Sequence, residues 1–348
     1  MAYTEIDNPT DYFNTVLYTG NSGTQAIAVG FQSDWVWCKP RGNTGSHFLT
    51  DSVRGGTEVF FSNTSAAAIT RSNNITGFTS TGYTLGADGT SNYNGDATVS
   101  WNWLAGTSFT NDASGTSIGS IDSAGSFNND AGFSICSYTG NGTAGATIKH
   151  GLNSVPSMMI IKDREGGEDS IVFHQSLGNT KFCYLSTNAA AGTDDGAWND
   201  TSPTTSVFTI GDYGNVNNNN HDYICYVFSE KQGYSKFGSY VGNGNANGPF
   251  VYTGFKPAFV ITIRTDGTGD LAMLYNQRNT FNVMNKYLKA QGNDAESTDE
   301  SFNIDAVSNG FKLRYTNSNY NASGGNYIYM AFAENPFVTS TGIPATAR

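Results

Sequence analysis

Residues 138–142 read Tyr138-Thr139-Gly140-Asn141-Gly142, and the phrase occurs three times, as Tyr18-Thr19-Gly20-Asn21 and, with one change, as Tyr240-Val241-Gly242-Asn243-Gly244. Each copy reads as a strand running into a tight turn, because glycine and asparagine accept the backbone angles a reversal requires. Self-similarity at this period divides the chain into three repeats.

Working outward, an apolar strand follows each phrase: Trp35-Val36-Trp37-Cys38-Lys39, Met158-Met159-Ile160-Ile161-Lys162 and Phe259-Val260-Ile261-Thr262-Ile263-Arg264. Pro156 and Pro257 introduce the last two, at strand starts where a missing N–H is tolerated. A second strand ends in Phe48-Leu49-Thr50-Asp51, Ile171-Val172-Phe173-His174 and Leu271-Ala272-Met273-Leu274-Tyr275, and a polar turn with Arg54 or Arg278 comes after it. A segment holding Asn63, Asn188 or Asn293 leads to Gly82-Tyr83-Thr84-Leu85, Val207-Phe208-Thr209-Ile210 and Gly310-Phe311-Lys312-Leu313. Each repeat closes on an aromatic strand with period-two alternation: Val99-Ser100-Trp101-Asn102-Trp103, Ile224-Cys225-Tyr226-Val227-Phe228, Ile328-Tyr329-Met330-Ala331-Phe332.

Short strands separated by Gly, Asn and Asp turns predict an all-β chain of three tandem antiparallel β-sandwich domains, jelly-roll or concanavalin-like. The boundaries are 1–106 with an N-terminal arm, 134–232 and 233–337, with a Ser/Gly-rich connector at 107–133 and a C-terminal arm at 338–348. The connector is either a loose junction or an extra strand excursion. Residues 281–292 are the one stretch whose spacing and closing glycine suit a short helix.

Composition narrows the function classes. The 348 residues carry 41 glycines and only 8 prolines, yet 13% aromatic residues supply cores that a disordered chain lacks. Charged residues are 14% of the chain and the net charge is −11, which argues against a nucleic-acid groove. Cys38, Cys136, Cys183 and Cys225 have neither CxxC spacing nor the density of a disulfide scaffold and read as buried free thiols. The start MAYTEIDNPT predicts no secretion signal, and no apolar run is long enough for a membrane span.

Several groups invite a chemical reading. Glu165, Glu168 and Asp169 cluster in one turn, but no strand carries the paired carboxylates of a sandwich glycosidase, so the turn reads as a solvated loop. His47, His150, His174 and His221 lack metal-ligand spacing and read as surface or strand-end residues. Ser46, His47 and Asp51 resemble a triad only in composition, without a nucleophile elbow. The loops Asp88-Gly89-Thr90-Ser91-Asn92 and 215–222 offer oxygen ligands for Ca²⁺, though turn chemistry explains them more simply. Trp35 with Trp37, and Trp101 with Trp103, each share a strand face; the other repeats place ordinary core residues there, which favours core over a sugar platform. Asn63, Asn74, Asn141, Asn199 and Asn321 head glycosylation tripeptides of the kind an Asn/Thr-rich chain generates by chance. Catalytic, cofactor and metal residues are therefore expected to be absent.

The stretches DWVWCKPR, SHFLTDSVRG, GYTLG, GFSICSYTGNGTAGATIKHGL and KQGYSKFGSYVGNGNANGPFVYTGFKP resemble repeats of tailed-bacteriophage virion proteins, especially of marine phages, and the ending YIYMAFAENPFVTSTGIPATAR is similar to theirs. The resemblance covers nearly the whole chain. It implies a non-enzymatic virion structural protein, a tail fibre, tail-associated or capsid-decoration component whose partners are other virion proteins and further copies of itself in a symmetric assembly. A host receptor- or glycan-binding adhesin for host attachment is the alternative. The resemblance implies localisation to the virion, after synthesis in the bacterial cytoplasm, and residues 1–15 and 335–348 are candidate docking arms. Two departures stand out: Leu177 replaces the turn arginine in the second repeat, and Ile263 stands where the other repeats have Lys39 and Lys162.

Overall fold

A computed structural model describes residues 3–279, 281–298 and 301–346. Strand accounts for 43% of the chain and helix for 6%, so the chain is all-β. Helix is confined among the described residues to single turns such as Asp195–Trp198 and Ser318–Asn321, and every strand pair is antiparallel apart from an isolated bridge between Ile121 and Ile148.

Among the described residues the strands assemble into three large sheets and three small ones. The first large sheet runs Phe13–Thr19, Ala97–Trp103, Trp35–Pro40, Phe48–Asp51, Gly55–Phe61, Ile69–Thr70. In the second, Phe133–Thr139, Asp222–Phe228, Met158–Asp163, Ile171–His174 and Lys181–Tyr184 follow the same order, and in the third so do Ser235–Val241, Asn326–Pro336, Phe255–Arg264, Ala272–Tyr275 and Tyr287–Lys289. The registers match as well, since Trp35 faces Trp103, Met158 faces Phe228 and Phe259 faces Phe332. Each repeat adds a small sheet in which Gln25–Ala28, Ala146–Lys149 or Phe250–Tyr252 pairs with Gly82–Leu85, Val207–Ile210 or Gly310–Leu313.

The innermost strands are buried along both faces, which alternation within a half-exposed sheet does not produce. One face packs on the repeat's own small sheet, as Val36, Cys38 and Val59 do on Ile27, Tyr83 and Leu85. The other faces inward, where side chains of all three large sheets form one apolar cluster. At its centre Trp103, Phe228 and Phe332, equivalent residues of the three closing strands, touch pairwise with ring centroids 5.7–6.4 Å apart. Aromatic surface of this size supplies most of the burial energy available to a β-fold.

Residues 107–133 form a strand excursion: Thr107–Asn111 and Ser123–Asn128 extend the second large sheet beyond Phe133–Thr139. The helix expected over 281–292 is not formed. Tyr287–Lys289 is instead an edge strand paired with Ala272–Leu274, and Leu288 enters the shared core, so sheet pairing overrides local spacing; Thr280 lies outside the described residues. The described parts of both arms lie on the body: the Tyr3 hydroxyl donates to the Gly254 carbonyl (2.7 Å), Ile6 joins the shared core, and the Ser340 N–H donates to Asp7 Oδ1 (2.6 Å). The extreme ends of both arms, 1–2 and 347–348, fall outside the described residues. No described helix is long and apolar enough to cross a membrane.

Candidate functional site

The repeated Tyr-x-Gly-Asn phrase builds the same lock three times. Tyr18, Tyr138 and Tyr240 donate their hydroxyls to the carbonyls of Ser91, Val216 and Tyr320 at 2.7–2.8 Å. The next residue in each case, Asn92, Asn217 or Asn321, is fully buried. Its Oδ1 accepts the N–H of Asn21, Asn141 or Asn243 at 2.8–2.9 Å, and its Nδ2 donates to two carbonyls, Gly23 and Gly86, Thr143 and Gly211, or Asn245 and Tyr315. The glycine of the phrase is obligatory, because a Cβ on Gly20, Gly140 or Gly242 would collide with the carbonyl oxygen of Tyr93, Asn218 or Ala322. A buried amide with its groups paired specifies one arrangement of the turn. Sequence reading placed Asn92 and Asn217 in oxygen-rich loops and Asn321 in a glycosylation tripeptide and missed this role, yet a signal existed: each stands nine residues ahead of a shared-core residue of the closing strand, Trp101, Tyr226 or Met330.

Between repeats the contacts run in a cycle. The N–H of Ala68 donates to the Arg164 carbonyl (2.8 Å), that of Ala191 to Thr265 (3.0 Å) and that of Glu296 to Arg41 (2.9 Å), so repeat one grips two, two grips three and three grips one. Two of these seams are plugged by buried cations. Lys162 reaches from repeat two to the Ser65 carbonyl at 2.7 Å, and Lys39 from repeat one to that of Asn293 at 3.5 Å. Burial pushes both ammonium groups down to about 8.

The position shared by Asp51, His174 and Tyr275 shows one seam geometry serving three chemistries. Asp51 binds the Arg54 guanidinium at 2.6 Å and accepts the Tyr226 hydroxyl of the next repeat at 2.8 Å, with both ion-pair side chains almost wholly buried. His174 holds the Tyr329 carbonyl with Nε2 (3.1 Å) and accepts the Ser176 N–H at Nδ1 (3.1 Å), and burial pushes it down to about 4. Tyr275 lies edge-on to Trp101 at 5.4 Å and donates its hydroxyl to Glu296, the partner of Arg278.

The remaining seam, between repeats two and three, has neither cation, because Ile263 and Leu177 occupy the lysine and arginine positions. Here the Asn188 carbonyl accepts the Gly269 N–H at 3.0 Å. A cavity of about 440 Å³ opens beside it, walled by Leu177 and Ala191 from one repeat and by Tyr240, Asp266 and Asn326 from the other.

The groups singled out in the sequence are dispersed. Ser46, His47 and Asp51 do not assemble: His47 Nδ1 accepts from Trp37 Nε1 at 2.9 Å, whereas Asp51 faces Arg54. His47, His150 and His174 are buried, not surface residues, because each sits at a strand end beneath a neighbouring loop or repeat; only His221 is partly exposed, 2.9 Å from Asp163. Asp169 accepts from Ser186 and Glu165 lies in a turn capped by Asp163, so the acidic turn does not converge on a cleft. Asp88 Oδ1 caps its own loop through the N–H groups of Thr90 and Ser91. All four tryptophans of the paired motifs are buried in the shared core, and all four cysteines are free and buried. Burial pushes the thiols of Cys38, Cys136 and Cys183 up to about 12, which leaves them unreactive. Among the described residues no three His, Cys, Asp or Glu side chains gather in a metal-holding group.

No curated protein and no solved structure matches the chain. A family model spans all three repeats, matching residues 8–336, and the chain belongs to that family, the DUF7483 domain of unknown function.

Proposed function

We propose that the chain is a non-enzymatic structural protein of a tailed-bacteriophage virion, in which each repeat is a two-sheet sandwich and the three sandwiches close around one core. The observation that carries this reading is where the buried ionisable groups go: Lys39, Lys162, Arg54 and His174 each bridge one repeat to the next. Catalysis instead needs such groups aimed together at a substrate. The resemblance of the repeats to virion proteins points the same way, with fibre, tail-associated and capsid-decoration positions all compatible with a rigid three-lobed body. Mass spectrometry of density-purified particles from a phage encoding the chain tests it: the protein is expected at a fixed copy number per particle, and its absence from intact particles refutes the assignment.

A second reading, a host receptor- or glycan-binding adhesin, is favoured by one observation, the surface cavity at the seam between repeats two and three.

A further inference from the structure

Pseudo-symmetry makes the odd seam informative. Arg54 spans the seam between repeats one and two, reaching the Tyr226 hydroxyl at 3.2 Å with almost no exposure of its side chain. Arg278, its counterpart in repeat three, pairs with Glu296, which also accepts the hydroxyl of Tyr275, the residue packed on Trp101 of repeat one. Only at the seam between repeats two and three are both cationic positions aliphatic, Leu177 and Ile263, and the cavity lies there with Leu177 in its wall. Two independent departures from the repeat pattern therefore meet at one place.

The walls define what would enter. Tyr240 and Tyr327 stack with ring centroids 5.0 Å apart and an interplanar angle of 10°, and their hydroxyls are held by the carbonyls of Tyr320 and Ser318. Both rings are buried in repeat three's own core, so the strands that carry them back the pocket as a fixed wall, and Val241, next along the strand and 56% exposed, stands at the mouth. Opposite charges are represented once each, by Lys181 and Asp266, and neutral hydroxyl and amide groups make up the rest of the polar lining. Asp266 is fixed by Arg264 Nε (2.9 Å) and by the N–H and Nδ2 of Asn326 (2.9 and 3.2 Å), so its carboxylate is presented in one orientation. A volume of about 440 Å³ is of the size that holds small ligands. An anion would meet Asp266, and a wholly apolar ligand would strand the polar groups. A ligand with an aliphatic face and hydroxyls that both donate and accept satisfies both walls.

We propose that this seam binds a neutral sugar unit, with the ring's apolar face toward Leu177 and Val241 and its hydroxyls on Asp266 and Asn326. The proposal rests on the second reading above and supplies its site. The test is titration of the full chain with the methyl glycosides of glucose, galactose, mannose and N-acetylglucosamine, followed by saturation-transfer NMR and calorimetry. At least one probe is expected to bind with a Kd of about 1 mM or tighter. Leu177→Arg, which restores the cation of the sister seams, and Val241→Trp, which plugs the mouth without touching the core, are each expected to weaken it about tenfold or more. Tyr252→Ala, an exposed aromatic outside the seam, is expected to leave binding unchanged. Failure of every probe to bind, retention of affinity in Val241→Trp, or loss of it in Tyr252→Ala would each overturn the proposal. Incorporation of Val241→Trp into particles is scored separately, so a failed sugar site and a failed virion assignment are told apart.

Discussion

At the scale of single residues, buried ionisable groups fasten seams, as Arg54 and His174 do, or pin a loop of their own repeat, as His150 does, and this sets two expectations. Removing the guanidinium in Arg54→Ala leaves Asp51 charged and buried against Tyr226, which should cost about 3–5 kcal/mol in a denaturant titration; a loss under about 1 kcal/mol would mean the pair is as weak as a surface one. The buried histidines set the acid limit. His150 and His174 are held down to about 4 by burial, against 6.5 in the unfolded chain. The folded state resists their protonation, so the stability they contribute is complete above pH 6.5 and is lost as pH falls toward 4, by about 3 kcal/mol for each. Denaturation midpoints measured between pH 7 and 4 should fall steeply, and His174→Gln should flatten the slope if its fold survives. These roles were hard to foresee in the sequence, where a histidine at a strand end looks exposed. The end at His174 is covered by repeat three and that at His150 by the Thr204 loop of its own repeat, contacts that no local pattern encodes.

At the scale of the element, the strands and turns were largely legible, because the Tyr-x-Gly-Asn phrase and the aromatic closing strands repeat with their register intact. What escaped reading were features decided by long-range pairing: the strand Tyr287–Lys289 in place of a helical turn, and the asparagine lock. The lock makes its own prediction. Gly140→Ala should cost about 1–3 kcal/mol through the clash with the Asn218 carbonyl, and Asn217→Ala a similar amount through carbonyls and an N–H left unpaired. Because both changes break one turn, a double-mutant cycle should give a sum well short of additive; full additivity would show that the turn is not a unit.

For the whole molecule, three similar sequences have become three sides of one body. The inner face of each large sheet is completed by the other two, with Trp103, Phe228 and Phe332 in mutual contact and a closed cycle of backbone hydrogen bonds around them. The sequence announced three repeats, but it gave no sign that aromatic residues such as Trp35 and Phe259 would face other repeats, since an apolar residue looks the same whichever neighbour covers it. Such an arrangement ties the stability of each repeat to the others, and it leaves one seam free to diverge toward binding while two remain plugged. Differential scanning calorimetry of the full chain tests this shared core most directly. The account predicts one transition whose calorimetric and van't Hoff enthalpies agree, with residues 134–232 expressed alone failing to show a cooperative transition; resolved transitions for separate repeats, or a stably folded isolated repeat, would contradict it.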